Sequence, residues 1–215
     1  MRTHPVLLRL DGRRCVVVGG DETAARKAGA CLAGGGDVTV VSPALPPPLT
    51  APPVHHVARE YRPGDLTGAF LAYAVTRDPE EIRRLLDEAA RERVLLNVVD
   101  VPEACTFLAP AVLERGDLRV AIGTGGASPG LAARLRRELE ERIGPEYATF
   151  VAILGAVRRT LADEPARAAI MESLLDSPLL GVVRRGTPAD VDAVLTRVAG
   201  PRCTLARLGV GLPET

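Results

Sequence analysis

The stretch Arg14–Ala33, RCVVVGGDETAARKAGACLA, decides how the rest of the chain is read. Cys15 to Val18 is a short apolar run, Gly19 and Gly20 make a turn, and Ala and Leu then recur at helical spacing, so the stretch predicts strand, glycine turn and helix. That order of elements opens a dinucleotide-binding fold. Glycine tolerates positive φ and puts no side chain between a pyrophosphate and backbone N–H groups, and the helix offers its positive end to the phosphate. The full fingerprint is G-x-G-x-x-G/A; this chain supplies Gly19, Gly20, Asp21 and Ala24, with an aspartate where the middle glycine belongs. Two readings stand. The Asp21 carboxylate opposes a bound phosphate, by roughly 3 kcal/mol per charge pair at about 5 Å and an effective dielectric of about 20. Alternatively it caps its own helix and the turn is structural.

The 215 residues are 47% hydrophobic and 25% charged, an ordinary globular composition for one large domain or two small ones. Lys plus Arg equals Asp plus Glu at 27 each, which gives no global attraction for nucleic acid or an anionic membrane, so neither is expected as a partner. The first residues, MRTHPVLLRLDG, hold an apolar run too short for a signal sequence, and no stretch approaches 18 uninterrupted apolar residues, which predicts a cytoplasmic protein. Cys15, Cys31, Cys105 and Cys203 lie far apart without metal-ligand spacing; Cys15 and Cys31 read as small core residues, and no resident metal is expected.

In chain order, Pro5 to Leu10 predicts a first short strand that enters β structure through a turn at Asp11-Gly12. Gly34-Gly35-Gly36 stops the glycine-turn helix, and Asp37 to Val41 is a buried-type strand that completes a βαβ unit. The tip of that strand, Val41-Ser42-Pro43, lacks the acid that a dinucleotide fold usually places on the adenosine ribose. Residues 43–53 hold six prolines and predict a loop, partly polyproline-like. Val54 to Val57 is a strand with His55 and His56 on opposite faces, a geometry that does not let both grip one metal. Ala69 to Thr76 is a further buried strand, Asp78-Pro79 caps a helix to about Arg91, and Val94 to Val99 is the next strand. Four such repeats predict a parallel sheet with helices on both faces and a site at the carboxyl ends of its strands.

Asp100 follows the last of these strands and so lies at the edge where a cofactor's reactive end belongs. There it is either a base that takes a proton as a hydride leaves, or a cap on the turn before Pro102. Cys105 has no nearby histidine and is not a candidate nucleophile. Thr106-Phe107-Leu108 and Leu118 to Ile122 predict two strands joined by a short helix and the turn Arg115-Gly116-Asp117. Gly123 to Pro129 is a second glycine-rich loop before a helix with Ser128 as N-cap; it reads either as an anion cradle or as a capped turn. After Gly144-Pro145 the pattern is helical, with apolar stripes in 147–161, 166–176 and 188–198, the last two separated by Gly181 and a turn at Arg184-Arg185-Gly186.

With these residues in view, the chain resembles the precorrin-2 dehydrogenase family, which includes the dehydrogenase/ferrochelatase module of siroheme synthase. The matching stretches are Val17-Val18-Gly19-Gly20 with Ala25-Arg26-Lys27-Ala28, Val38 to Pro43, Ala74 to Pro79, and Asn97-Val98-Val99-Asp100 with Pro102 and Phe107. Arg115 to Leu118 leading to Thr124-Gly125-Gly126-Ala127-Ser128-Pro129, and Leu174 to Leu179, complete the match. The resemblance implies an α/β fold in three parts: a Rossmann NAD-binding domain over residues 1–112, a small α+β dimerisation segment over 113–145 and a helical domain over 146–215, in a homodimer. It implies NAD-dependent oxidation of precorrin-2 to sirohydrochlorin, with Fe²⁺ or Co²⁺ as a further substrate where the product is metallated. Since no methyltransferase module follows residue 215, the expectation is the stand-alone form. Carried over residue by residue, Asp100 is the catalytic aspartate. Gly19, Gly20, Asp21, Glu22, Thr23, Ser42, Thr76 and Val98 form the cofactor site, and Asn97, Thr124, Gly125, Gly126 and Ser128 face the substrate.

The departures from the family pattern are Asp21 for a third glycine, and Arg77 and Ile82 for the usual Asp and Asn. Arg77 is cationic where the family is acidic, so it is expected to offset Asp21 or to meet the pyrophosphate. Two other classes remain open from the sequence: a tetrapyrrole chelatase or carrier without dehydrogenase activity, and a Rossmann-type nucleotide sensor.

Overall fold

The strand β1 (Arg14–Val18) is buried on both sides, as a central strand of a parallel sheet must be. Cys15 and Val17 enter one core and Val16 and Val18 the other, because neighbours in a strand point oppositely. The computed structural model describes residues 2–45, 49 and 53–212, in two compact units: Met1–Ala109 with Gly125–Ala127, and Pro110–Thr124 with Ser128–Thr215.

In the first unit five strands pair in parallel in the order β3-β2-β1-β4-β5, where β2 is Asp37–Val41, β3 His55–Val57, β4 Leu71–Ala74 and β5 Leu95–Val98. The helix α1 (Glu22–Ala33) covers the face that carries Cys15, Val17, Val38, Val40 and Leu71. The helix α2 (Pro79–Glu92) covers the other, with Leu85 and Ala89 against Val16, Ala72 and Leu96. The doubly covered parallel sheet is therefore as expected. The repeat count is not: residues 58–70, between β3 and β4, form turns rather than a helix. The buried Glu88 of α2 organises them. Its Oε1 accepts the N–H groups of Gly64 and Leu66, each at 2.9 Å, and its Oε2 accepts the Tyr61 hydroxyl at 2.5 Å.

Three further expectations are corrected. Pro5 to Leu10 forms no strand; Val6, Leu7 and Leu8 are exposed, and only the turn from Leu10 to Arg13 is made. Six residues of the proline-rich loop (46–48 and 50–52) lie outside the described residues. Residues 106–108 are not a strand either, because the Thr106 side chain takes the place of a strand partner. Its Oγ1 accepts the Leu96 N–H at 2.8 Å, while its own N–H donates to the Leu96 carbonyl.

In the second unit the expected short helix is instead the strand β6 (Ala111–Arg115), paired antiparallel with β7 (Leu118–Ile122). Gly116, at φ +56°, opens a two-residue turn that fixes this register, and burial of Leu113 outweighs the helix propensity of Ala, Leu, Glu and Arg. The helix α3 (Pro129–Arg142) follows, capped by Ser128, whose Oγ accepts the Leu131 N–H. The helices α4 (Glu146–Thr160), α5 (Arg167–Asp176), α6 (Leu179–Arg185), α7 (Pro188–Ala199) and α8 (Leu205–Leu208) share one apolar core. Here α6 continues through Gly181, which was expected to interrupt the pattern, and ends within the expected Arg184-Arg185-Gly186 turn. Buried Leu179 and Val183 hold it, and it stops at Gly186, where a Cβ would meet the Val182 carbonyl at 2.7 Å.

Replacement of Glu88 by alanine strands three donors beneath the sheet and is expected to lower unfolding free energy by about 3 kcal/mol. Glu88→Gln, which keeps an acceptor, loses less. Urea denaturation reads both; a Glu88→Ala midpoint equal to the wild type would remove this group from the account.

Candidate active site

At the carboxyl edge of the first sheet, the ends of β1, β2 and β4 border a cleft of about 290 Å³ lined by Val18, Gly19, Gly20, Val41, Ser42, Pro43, Glu60, Val75, Thr76 and Glu81. Its floor has no room for side chains. A Cβ on Gly20 would meet the Ala44 carbonyl oxygen at 2.6 Å and the Ser42 Cβ at 3.1 Å, and Gly19 sits at φ +128° with Val75 at 3.1 Å. The Ser42 hydroxyl donates to the Ala44 carbonyl at 2.7 Å, which leaves its oxygen free to accept from a ligand.

Of the eight cofactor residues expected from sequence, Gly19, Gly20, Ser42 and Thr76 line this cleft. Asp21, Glu22 and Thr23 lead from it into α1, whereas Val98 is buried in the core beneath the sheet. The Asp21 Oδ1 accepts the Ala24 N–H at 2.8 Å, so the capping reading of this residue is realised. The carboxylate thus occupies an N–H group that would otherwise face an anion. Glu60 and Glu81 were not singled out in the sequence. The acid missing from the β2 tip is supplied from elsewhere: Glu60 follows β3, and Glu81 lies in the first turn of α2. Among the described residues two carboxylates and no Lys or Arg line the cleft, which suits ribose hydroxyls and disfavours an additional phosphate on them.

Asp100 stands just past β5 in the left-handed region, at φ +63°, a conformation that aspartate tolerates better than most residues. The short 3₁₀ turn Pro102–Ala104 that follows has no side-chain cap, so Asp100 is not spent on capping it. Its side chain is 76% exposed, and the Arg77 Nη2, from the segment after β4, stands 4.0 Å from its Oδ2. Arg77 therefore faces Asp100 and is not among the residues that line the cleft, and among the described residues it makes no ion pair with Asp21. Cys105 lies close by, but its Sγ donates to the carbonyls of Val98 and Val101, and burial pushes its pKa above the ordinary thiol value.

The residues expected to face substrate are in part occupied by the fold. Asn97 is buried and its Nδ2 donates to the Phe107 carbonyl at 2.9 Å, which seats the Phe107 ring edge-on against Tyr73. Thr124 Oγ1 accepts the Ser128 N–H at 3.1 Å, and the Ser128 Oγ caps α3. Gly125 and Gly126 take φ of +62° and +84°, a loop that only glycine makes without strain. Among the described residues, no three or more His, Cys, Asp or Glu side chains are grouped to hold a metal ion.

A family model for NAD(P)-binding domains matches residues 6–111, and one for the central part of sirohaem biosynthesis proteins matches residues 115–142. Over residues 6–142 the chain is thus similar to the NAD(P)-binding and central parts of sirohaem biosynthesis proteins. The siroheme synthase of Methylobacillus flagellatus is 39% identical over 165 residues, 75% of this chain and 35% of that protein. That of Thioalkalivibrio sulfidiphilus is 34% identical over a 232-residue alignment, covering all of this chain and 47% of that protein. The chain thus spans less than half the length of these relatives. Among solved structures, SirC, a precorrin-2 dehydrogenase, superposes with a TM-score of 0.76 over 91% of this chain and 98% of its own, at 22% identity, a likeness of fold.

The family model matched over residues 6–111 describes an NAD(P)-binding domain, and the turn fits such a dinucleotide: Gly19 and Gly20 leave the cleft floor free of side chains, Gly20 of necessity because a Cβ there would collide with the Ala44 carbonyl. Because Asp21 is both cap and repulsive charge, the two roles separate by substitution. Asp21→Ser keeps a capping oxygen and is expected to tighten NAD binding about threefold or more at unchanged thermal stability. Asp21→Ala is expected to cost about 1 kcal/mol of stability. Calorimetric affinities for NAD decide it, and weaker binding by Asp21→Ser would contradict the repulsion.

Proposed function

We propose that the chain oxidises precorrin-2 to sirohydrochlorin with NAD, and that Asp100 is the base. The single observation behind this is the position of Asp100: an exposed carboxylate, free of capping, on the same sheet edge as the glycine cleft. Bound in the cleft, NAD supplies the hydride acceptor. The Gly20 backbone N–H is open to its pyrophosphate, the Gly19 N–H being held by the Val41 carbonyl at 3.0 Å, and Ser42 and Glu60 offer acceptors to ribose hydroxyls. An Asp100 oxygen takes the substrate proton released as the C–H electron pair departs, and Arg77 beside it balances the negative charge before the transfer.

A homodimer is part of this reading. The helix α3 buries only Ala132, and Leu131 and Leu135 stay exposed beside a depression lined by Ile122, Leu135, Glu138, Leu139, Glu141 and Arg142, a face of leucines ringed by charges that suits a second copy. It falls within the 113–145 segment that the family resemblance assigns to dimerisation. A cytoplasmic setting accords with four free cysteines and with the finding that, among the described residues, no helix is long and apolar enough to cross a membrane. Insertion of Fe²⁺ or Co²⁺, as a substrate, would use the same carboxylate to receive pyrrole protons.

Asp100→Asn keeps size and fold but removes the base. NADH formation from precorrin-2 is expected to fall by about 10²-fold or more while NAD affinity holds within about twofold. Turnover at the wild-type rate in Asp100→Asn would contradict the assignment and favour a binding protein without chemistry.

A further inference from the structure

We propose that Lys27 is an anion anchor of the site, its ammonium receiving one carboxylate of the tetrapyrrole substrate beside Asp100. This rests on the precorrin-2 reading above and adds to it a residue on the helix side of the sheet. Lys27 is the sixth residue of α1. In a parallel sheet the connecting helix runs back against the strands, so its N-terminal end lies at the carboxyl edge, and helical side chains lean toward that end. Lys27 accordingly leans toward the edge that carries Gly19 and Asp100.

Its amine sits 4.9 Å from the centroid of the Tyr73 ring. Tyr73 pairs in register with Asn97 across β4 and β5, and its ring meets Phe107 edge-on at 5.4 Å. Asn97 in turn fixes Phe107 through its carbonyl. Lys27 is thus held over the strand pair whose ends lead into Thr76 and Asp100, on a ring that cannot drift. It is half-buried, and among the described residues it makes no ion pair. Burial, with Arg26 nearby, pushes its pKa below the ordinary lysine value, while Cys31, Asp100 and Cys105 pull it back. A half-desolvated cation that rests on a ring face and, among the described residues, has no carboxylate at ion-pair distance gains most from an incoming anion. A substrate bearing many carboxylates supplies one.

Sirohydrochlorin titrated anaerobically into the wild type, Lys27→Gln and Lys27→Arg, with NADH titrated in parallel, tests the anchor. Loss of one charge-assisted contact is expected to weaken sirohydrochlorin binding by Lys27→Gln about tenfold or more. Lys27→Arg should stay within about threefold, and NADH affinity within about twofold in both. Lys27→Met gives a second uncharged variant that retains the apolar stem, and thermal midpoints confirm folding. Unchanged sirohydrochlorin affinity in a folded Lys27→Gln or Lys27→Met would overturn the anchor, as would a loss confined to NADH. Wild-type protein that binds NADH but not sirohydrochlorin would overturn the substrate reading itself, and the anchor with it.

Discussion

The tight approach of the chain to itself at Gly20 is the constraint on which the site depends. With a Cβ only 2.6 Å from the Ala44 carbonyl, no other residue fits there unless the segment after β2 moves, and that segment forms one wall of the cleft. Gly20 is placed by β1, which is locked between β2 and β4 and buried on both faces. The sheet therefore delivers a side-chain-free turn to the start of α1. The same strand ends carry Ser42, Thr76 and Asp100 to one edge.

Much of this was legible in the sequence because it follows from local rules. The run CVVV, the β-branched DVTVV and the Asp78-Pro79 pair each specify their element without help from distant residues. The misreadings share a cause: tertiary partners overrode local pattern. Thr106 supplies Leu96 with a side-chain partner in place of a strand, Glu88 holds residues 61–66 as turns, and the Gly116 turn makes a strand of the helix-prone AVLER.

The candidate site was legible to a lesser degree. Glycines and Asp100 announce themselves by position after a strand. Glu60 and Glu81 do not, because they reach the cleft from the turn after β3 and from the first turn of α2, whereas the fingerprint looks for an acid at the β2 tip. Asp21 was ambiguous for a physical reason: capping a helix and repelling a phosphate use the same carboxylate in the same place, and the structure shows the first. Arg77 was read toward the pyrophosphate and is found beside Asp100, since sequence gives the strand end but not the direction of a long side chain.

The arrangement is coherent as a dehydrogenase: a dinucleotide cradle on one strand end, a carboxylate past another, and a guanidinium that keeps that carboxylate company. Anaerobic incubation of the protein with precorrin-2 and NAD, following NADH and sirohydrochlorin by absorbance, tests that claim most directly. The account predicts stoichiometric formation of both. Tight binding of NAD and precorrin-2 with no NADH formed would contradict it and leave a binding protein built on a dehydrogenase fold.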